Sequence, residues 1–186
     1  MTTVTRKQLL RFGNDPVLKM VCVPVAPGEP LADLMDLMQR AIKQGSNGVG
    51  LAAPQVGISK RVIFTKCRDW RGTVRGRFFI NPEIFELSVR TEVEKEGCLS
   101  FPGVYKAVRR PVQIILRYED ERRFVRTQGF LDFHARVIQH EIDHLNGICK
   151  VGDPTYPADK KTDAERAGGA VALAMVTATA LTIGAQ

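Results

Sequence analysis

The residue types and spacing best suited to chemistry lie in Gln139-His140-Glu141-Ile142-Asp143-His144. On an α-helix two histidines four apart sit about 40° from each other around the axis, so both imidazoles can reach one metal ion. In the H-E-x-x-H pattern the adjoining carboxylate, here Glu141, is the general base that takes a proton from metal-activated water. A catalytic metal needs about three protein ligands and an open position. The chain holds only three histidines. His134 lies about 120° off the liganding face of an ideal helix, which leaves the third ligand to a cysteine or a carboxylate. The longer pattern HExxHxxGxxH fits through Gly147 and then meets Lys150, whose ammonium has no lone pair, and so excludes the metzincin proteases.

The elements that must position these residues can be read from periodicity. Apolar Phe133, Val137, Ile138, Ile142 and Leu145 predict a helix that carries the motif and stops at Gly147. Leu31, Leu34, Met35, Leu37, Met38, Ala41 and Ile42 recur at spacings of three and four, predicting a helix over 31–42 that ends at Gly45. Residues 61–65 and 78–80 read as strands joined by a basic loop, the second closed by Asn81-Pro82. A further pair spans 112–118 and 123–127, turned at Glu119-Asp120-Glu121. Asp15-Pro16-Val17-Leu18-Lys19 predicts an extended or turn segment, because proline biases its predecessor away from the α region. The expected fold class is α+β, with antiparallel β-sheets packed around a central helix carrying the HExxH metal motif.

At 186 residues and 44% hydrophobic, the chain can bury a real core and is not a disordered polymer. The expected organisation is a catalytic domain over 1–153 and a tail of uncertain order over 154–186. Residues 168–186 are rich in Ala and Thr and carry no charge, but are short for a bilayer span, so membrane anchoring is not expected. Cys22, Cys67, Cys98 and Cys149 lack a short regular spacing, and no signal or transit peptide is expected ahead of them; a reducing, cytoplasmic compartment fits, with thiols free to ligate. The net charge of +7 is partly concentrated over 60–77, where seven cations accompany one acid, Asp69. A solvated hairpin, or attraction to an acidic surface such as that of the ribosome, accounts for this; no specific nucleic-acid motif accompanies it, although Trp70 could stack on a base.

Two further stretches carry constrained backbone. Gly48-Val49-Gly50-Leu51-Ala52-Ala53-Pro54-Gln55 fits a dinucleotide fingerprint only superficially, since a helix precedes it and Pro54 interrupts the place where the fingerprint's own helix should begin. Its glycines would let a substrate chain approach the backbone, with Gln55 as amide donor; an ordinary turn would look the same. Glu96-Gly97-Cys98-Leu99-Ser100-Phe101-Pro102-Gly103 is a short rigid segment that could hold a thiolate, or simply bury a cysteine.

Taken together, GVGLAAPQ at 48–55, EGCLS at 96–100 and QHEIDH at 139–144 resemble the peptide deformylases, in order and at ordinary separations, and Asp15-Pro16-Val17-Leu18 resembles that family's N-terminal segment. The resemblance covers residues 10 to 148. It implies a hydrolase of protein biosynthesis that removes the N-formyl group from the initiator methionine of nascent peptides and releases formate. It implies that Cys98, His140 and His144 hold one divalent metal, Fe(II) natively in many members, with Zn(II), Ni(II) or Co(II) as alternatives. Glu141 would be the acid-base group, while the Gln55 amide and the Leu99 backbone N–H would bind the oxyanion. Val49 and Gly50 would pair with an extended N-formyl-methionyl peptide, and Val49, Phe133 and Val137 would line the methionine pocket. Leu131-Asp132-Phe133 departs from the family as an insertion, or an alternative alignment, at the mouth of the helix, and after Gly147 the stretch Ile148-Cys149-Lys150-Val151-Gly152-Asp153 stands where many members continue with a hydrophobic pair and an acidic residue. Two rivals use the same histidines: a gluzincin-like peptidase with Glu165 as third ligand, and a closed structural zinc site made with Cys98 and Cys149, which leaves Glu141 and Gln55 without a task.

Overall fold

In this computed structural model residues 9–44, 48–68 and 73–162 are described. In chain order they form α1 (Ala32–Gln44), β1 (Gly50–Ala52), β2 (Val62–Arg68), β3 (Val74–Leu87), β4 (Thr91–Cys98), β5 (Phe101–Pro111), β6 (Gln113–Glu119), β7 (Val125–Leu131) and α2 (Asp132–Leu145). The fold is α+β and its sheets are antiparallel: five strands in the order β1-β2-β3-β6-β7, and the pair β4-β5.

Alternation explains how one sheet serves two helices. Successive strand side chains point to opposite faces. Val62, Phe64, Phe78 and Ile80 pack with Leu34, Met38, Ala41 and Ile42 of α1. Their neighbours Ile63 and Phe79 join Ile114, Leu116 and Phe130 against Ala135, Ile138, Ile142 and Leu145 of α2. Each such fully buried side chain contributes about 1.5–3 kcal/mol relative to exposure. The sheet therefore lies between the two helices, and α2 also touches β5 of the second sheet.

The helix expected over 31–42 is α1, which closes at Gln44; Gly45, its expected stop, lies outside the described residues, as do Asp69, Trp70 and Arg71 of the basic stretch. Pro16–Lys19 forms a single 3-10 turn, capped by the Asp15 carboxylate accepting from Val17 N at 3.1 Å. The expectation that Asn81-Pro82 ends a strand is corrected: β3 runs on to Leu87. Asn81 adopts φ 50 and Pro82 falls where the register shifts, so the pair makes a bulge rather than a stop. The Asn81 amide stabilises it, donating to Val25 O at 3.0 Å and Glu119 Oε1 at 3.1 Å. The strand expected over 123–127 instead begins at Val125 and continues to Leu131, because Arg123 sits at φ 67 in the turn. Residues 131–133 form the end of β7, the αL residue Asp132 (φ 49) and the exposed first turn of α2.

β4 and β5 lie where no strand was expected. Their sequences mix charges with Pro102 and Gly103, and intrinsic propensity gives no sign of them. Later residues fasten their edge: Asp159 N donates to Ala107 O at 3.0 Å, Arg109 N to Asp159 Oδ2 at 2.7 Å, and Lys106 Nζ to Tyr156 O at 3.0 Å. Residues 163–186, with Glu165 and the uncharged stretch, lie outside the described residues. Among the described residues no helix is long and apolar enough to cross a membrane.

Candidate metal centre

α2 contains His140, Glu141 and His144, the last two buried and the first partly so; it packs mainly on β1 and β2 and reaches β4 through side-chain contacts to Glu96. Glu96 near the end of β4 holds His140: Nδ1 lies 3.0 Å from Glu96 Oε2, which leaves Nε2 as the free ring nitrogen. Glu96 is in turn gripped by Arg110 of β5, whose Nε and Nη2 donate at 2.7 and 2.9 Å, and by Arg136 Nη1 at 2.7 Å. Arg110 Nη1 reaches back to Asp143 Oδ2 at 2.8 Å, tying the hairpin to the helix. Burial alone would raise the Glu96 pKa, but the hydrogen bonds from His140 and Arg110 hold it well below the usual carboxylate range. Burial likewise works against a charged His140, and the Glu96 hydrogen bond overrides it and raises that pKa.

Opposite this network, Cys98 Sγ lies 3.2 Å from His144 Nε2. The ligand atoms of Cys98, His144 and Cys149 all lie within 4.8 Å of one another. The His140 ring stands beside them, its centroid 5.1 Å from that of His144. Glu141 Oε2 and His144 Nδ1 are fully buried without a hydrogen-bond partner, and His144, deep in the core and near His140, has its pKa driven well down, so it is neutral and able to ligate. Soft thiols, neutral imidazole and an unpartnered carboxylate make a donor set that fits a divalent metal with an attendant base. The two thiols behave as a unit: their mutual hydrogen bond and burial push one proton's release up at Cys98, while the same bond draws Cys149 down to about 7. Burial pushes Glu141 up to about 7 against the pull of His140. That value suits a group that must both accept and return a proton near neutrality.

A cavity of about 640 Å³ opens onto these groups. Val49, Gly50, Gln55, Cys98, Leu99, Phe133, Val137, His140 and Glu141, singled out from sequence, all line it, together with Phe101 and Tyr105 from β5. Gly50 has a steric reason: a Cβ there would run into the Glu141 carboxylate and into Val137. Gly50 also begins β1, an edge strand that pairs with β2 on one side and, among the described residues, with no strand on the other, where Ala52 N is taken by the Gln55 side chain and the Gly50 backbone faces outward. Gln55 is buried; its oxygen accepts from Ala52 N at 2.8 Å, and Nε2 lies 3.1 Å from Ser100 Oγ and 3.7 Å from Cys98 Sγ. The amide is thereby fixed with its donor end toward the sulfur.

Reading the residues alone assigned no role to Glu96, Arg110, Arg136 or Ser100, and Cys149 entered only as part of a closed zinc site. Charged residues embedded in a cysteine segment were the available signal for Glu96, since a buried carboxylate requires partners. His134 is where helix phase places it, away from the thiols, with its Nε2 3.1 Å from Thr65 Oγ1 and its ring against Phe130 at 4.9 Å.

Comparison with known proteins supplies the family. Residues 7–153 match the family model for polypeptide deformylase. The chain belongs to the polypeptide deformylase family. A peptide deformylase of Prochlorococcus marinus (strain NATL2A) is 47% identical over 120 residues, covering 64% of this chain and 56% of that relative's length. Over 148 residues, 76% of each chain, the peptide deformylase of Synechocystis sp. is 38% identical. A Met-Ala-Ser-bound class I type b peptide deformylase from Acinetobacter baumannii superposes with a TM-score of 0.68 at 36% identity, covering 75% of this chain and 93% of that one. Metal dependence is a property of deformylases, and the group formed by Cys98, His144 and Cys149 is consistent with it.

Proposed function

We propose that this chain is a metal-dependent hydrolase that removes the N-formyl group from the initiator methionine of newly made polypeptides and releases formate. The observation that carries this is the Glu141 carboxylate: buried, unpartnered at Oε2, raised to about 7, and set between a thiol–imidazole donor cluster and the outer edge of β1 at Gly50. The Met-Ala-Ser tripeptide bound to the Acinetobacter protein supports a peptide ligand.

In this proposal Cys98, His140 and His144 hold the ion on the central helix α2 and the hairpin β4-β5. When bound, the metal supplies Lewis-acid polarisation of the formyl carbonyl and lowers the pKa of the attacking water. Val49 and Gly50 align an extended peptide along β1, and the cavity wall of Val49, Phe133 and Val137 receives the methionine side chain. Glu141 takes the water proton as the new C–O bond forms, then passes it to the amine nitrogen as the formyl C–N bond breaks. The products are formate and a free N-terminus. Gln55 Nε2 and the Leu99 N–H donate to the oxygen on which negative charge develops. Gly50 keeps the space above Glu141 clear.

The native ion is proposed to be Fe(II), with Zn(II), Ni(II) or Co(II) able to substitute. The catalytic unit is proposed to span 1–153, followed by a tail over 154–186 whose residues near 156–161 strap the hairpin. The proposed place of work is the cytoplasm, on N-formyl-methionyl chains leaving the ribosome, to which the cations over 60–77 would be attracted; no specific nucleic acid or membrane is involved. Anaerobic purification, metal analysis and an assay of formate release from formyl-methionyl peptides test substrate and metal together. Stoichiometric metal with formate release is expected; metal without formate release would overturn the proposal.

A further inference from the structure

The charges lining the cavity are unevenly matched. Among its described residues the two carboxylates are both engaged: Glu141 is buried, and Glu96 is held by Arg110 and Arg136. Arg136 commits its guanidinium to Glu96 and to the carbonyls of Val108 and Glu92. Lys95 of β4 differs. It is exposed and forms no ion pair among the described residues, while its neighbour Glu94 pairs with Lys161 at 3.0 Å. The Lys95 ammonium lies over the Tyr105 ring, 5.0 Å from the centroid. Tyr105 is placed in turn by register: it stands opposite Gly97, where a Cβ would run into the ring. The bare backbone at Gly97 makes room for Tyr105, and Tyr105 holds the Lys95 charge at the cavity wall.

Strand geometry sets what that charge can meet. Lys95 is three residues from Cys98, about 10 Å along β4. In an extended peptide with its formyl group at the thiol–imidazole cluster, the second and third residues stand about 6 and 10 Å away. We propose that Lys95 is a specificity-determining residue that selects peptides with an acidic side chain at the second or third position and disfavours basic ones there. The inference rests on the proposed placement of a formyl-methionyl peptide in this cavity, and on no property of the metal. An acidic side chain meets an ammonium with no protein carboxylate competing for it. Exposure limits the gain to about two- to fivefold per charge. Screening should shrink it further in about 1 M salt.

The test compares formate release from formyl-Met-Ala-Glu, formyl-Met-Ala-Lys, formyl-Met-Glu-Ala and formyl-Met-Lys-Ala, all as C-terminal amides, by the unaltered chain, Lys95→Met and Lys95→Glu. At one position or both, the Glu-to-Lys ratio of kcat/KM is expected to be at least about fourfold in the unaltered chain, mostly through KM. It should approach one in Lys95→Met and fall below one in Lys95→Glu. Each ratio is internal to one protein, so incomplete folding of a variant does not alter it. A ratio near one at both positions in the unaltered chain overturns the proposal, and so does a ratio that Lys95→Glu leaves unchanged. Equilibrium binding of the same four peptides without the formyl group reads the preference without turnover. If no formyl peptide is cleaved but the acidic peptides still bind more tightly than the basic ones, the deformylase function falls and the selection by Lys95 stands. Cleavage without preference removes the selection and leaves the deformylase; neither cleavage nor binding removes both.

Discussion

His134 and His140 occupy the same helix less than two turns apart, and the protein treats them as different residues. His140 faces the hairpin, where Glu96 fixes Nδ1 at 3.0 Å and raises its pKa. His134 faces the five-stranded sheet among Phe79 and Phe130, where burial first and Arg77 second lower its pKa to about 4. Helix phase chose the neighbourhood, and the neighbourhood chose the chemistry. An imidazole oriented by a carboxylate is a metal ligand in waiting; one held by aromatic edges and a threonine is part of the core.

Exchanging the two environments in turn should produce effects of very different size. The largest is loss of the ion. Cys98→Ala, His140→Ala and His144→Ala are each expected to lose stoichiometric metal and all formate release, whereas His134→Ala keeps the metal. Inductively coupled plasma analysis of the purified proteins checks this, and a full metal complement in His140→Ala would erase the distinction between the two histidines.

Next in size is the support behind His140. Arg110 and Glu96 are both nearly inaccessible, with side-chain exposures of 3% and 6%. Removing one member of a buried pair strands the other charge, so Arg110→Ala should destabilise the fold by about 3–5 kcal/mol in urea denaturation. A loss under about 1 kcal/mol would mean that water or another cation replaces the guanidinium. Glu96→Gln preserves shape but weakens the hold on His140 Nδ1. Its expected effect is a loss of about 10- to 100-fold in metal affinity, measured by chelator competition.

Much of this contrast could be read from the sequence, and some could not. The apolar spacing of Leu34, Met38, Ala41 and Ile42 marked α1, and four-residue spacing put His140 and His144 on one face with His134 off it. Those are local rules. The hairpin β4-β5 escaped notice because its strands are specified by Glu96, Arg110 and Arg136 meeting across the fold, a pairing without local signature. Asn81-Pro82 looked like a terminator because its turn chemistry is the same in a bulge; only the Val25 and Glu119 partners distinguish the two. Cys149 is close to Cys98 through the chain reversal at Gly147, which periodicity cannot measure.

The smallest predicted effect belongs to His134. Its folded pKa of about 4 lies below the ordinary value of 6.5, so below pH 6.5 the unfolded chain binds the proton more readily. Stability tied to this residue is therefore present above about pH 6.5 and declines as pH falls toward 4. Thermal melts from neutral pH down toward about pH 4 should show a shallower decline for His134→Gln than for the unaltered protein. Parallel declines would mean that His134 is not buried in its neutral form.

The central claim is that α2 carries, between its two ligands, a base that is not itself a ligand. Deformylation rate per bound metal in Glu141→Gln tests it most directly. The substitution keeps the size of the side chain and leaves Cys98, His140 and His144 untouched, so metal content should stay near that of the unaltered protein. Formate release per metal should fall by about 10²- to 10⁴-fold, the usual worth of general acid-base assistance. Near-normal turnover per metal would contradict the account.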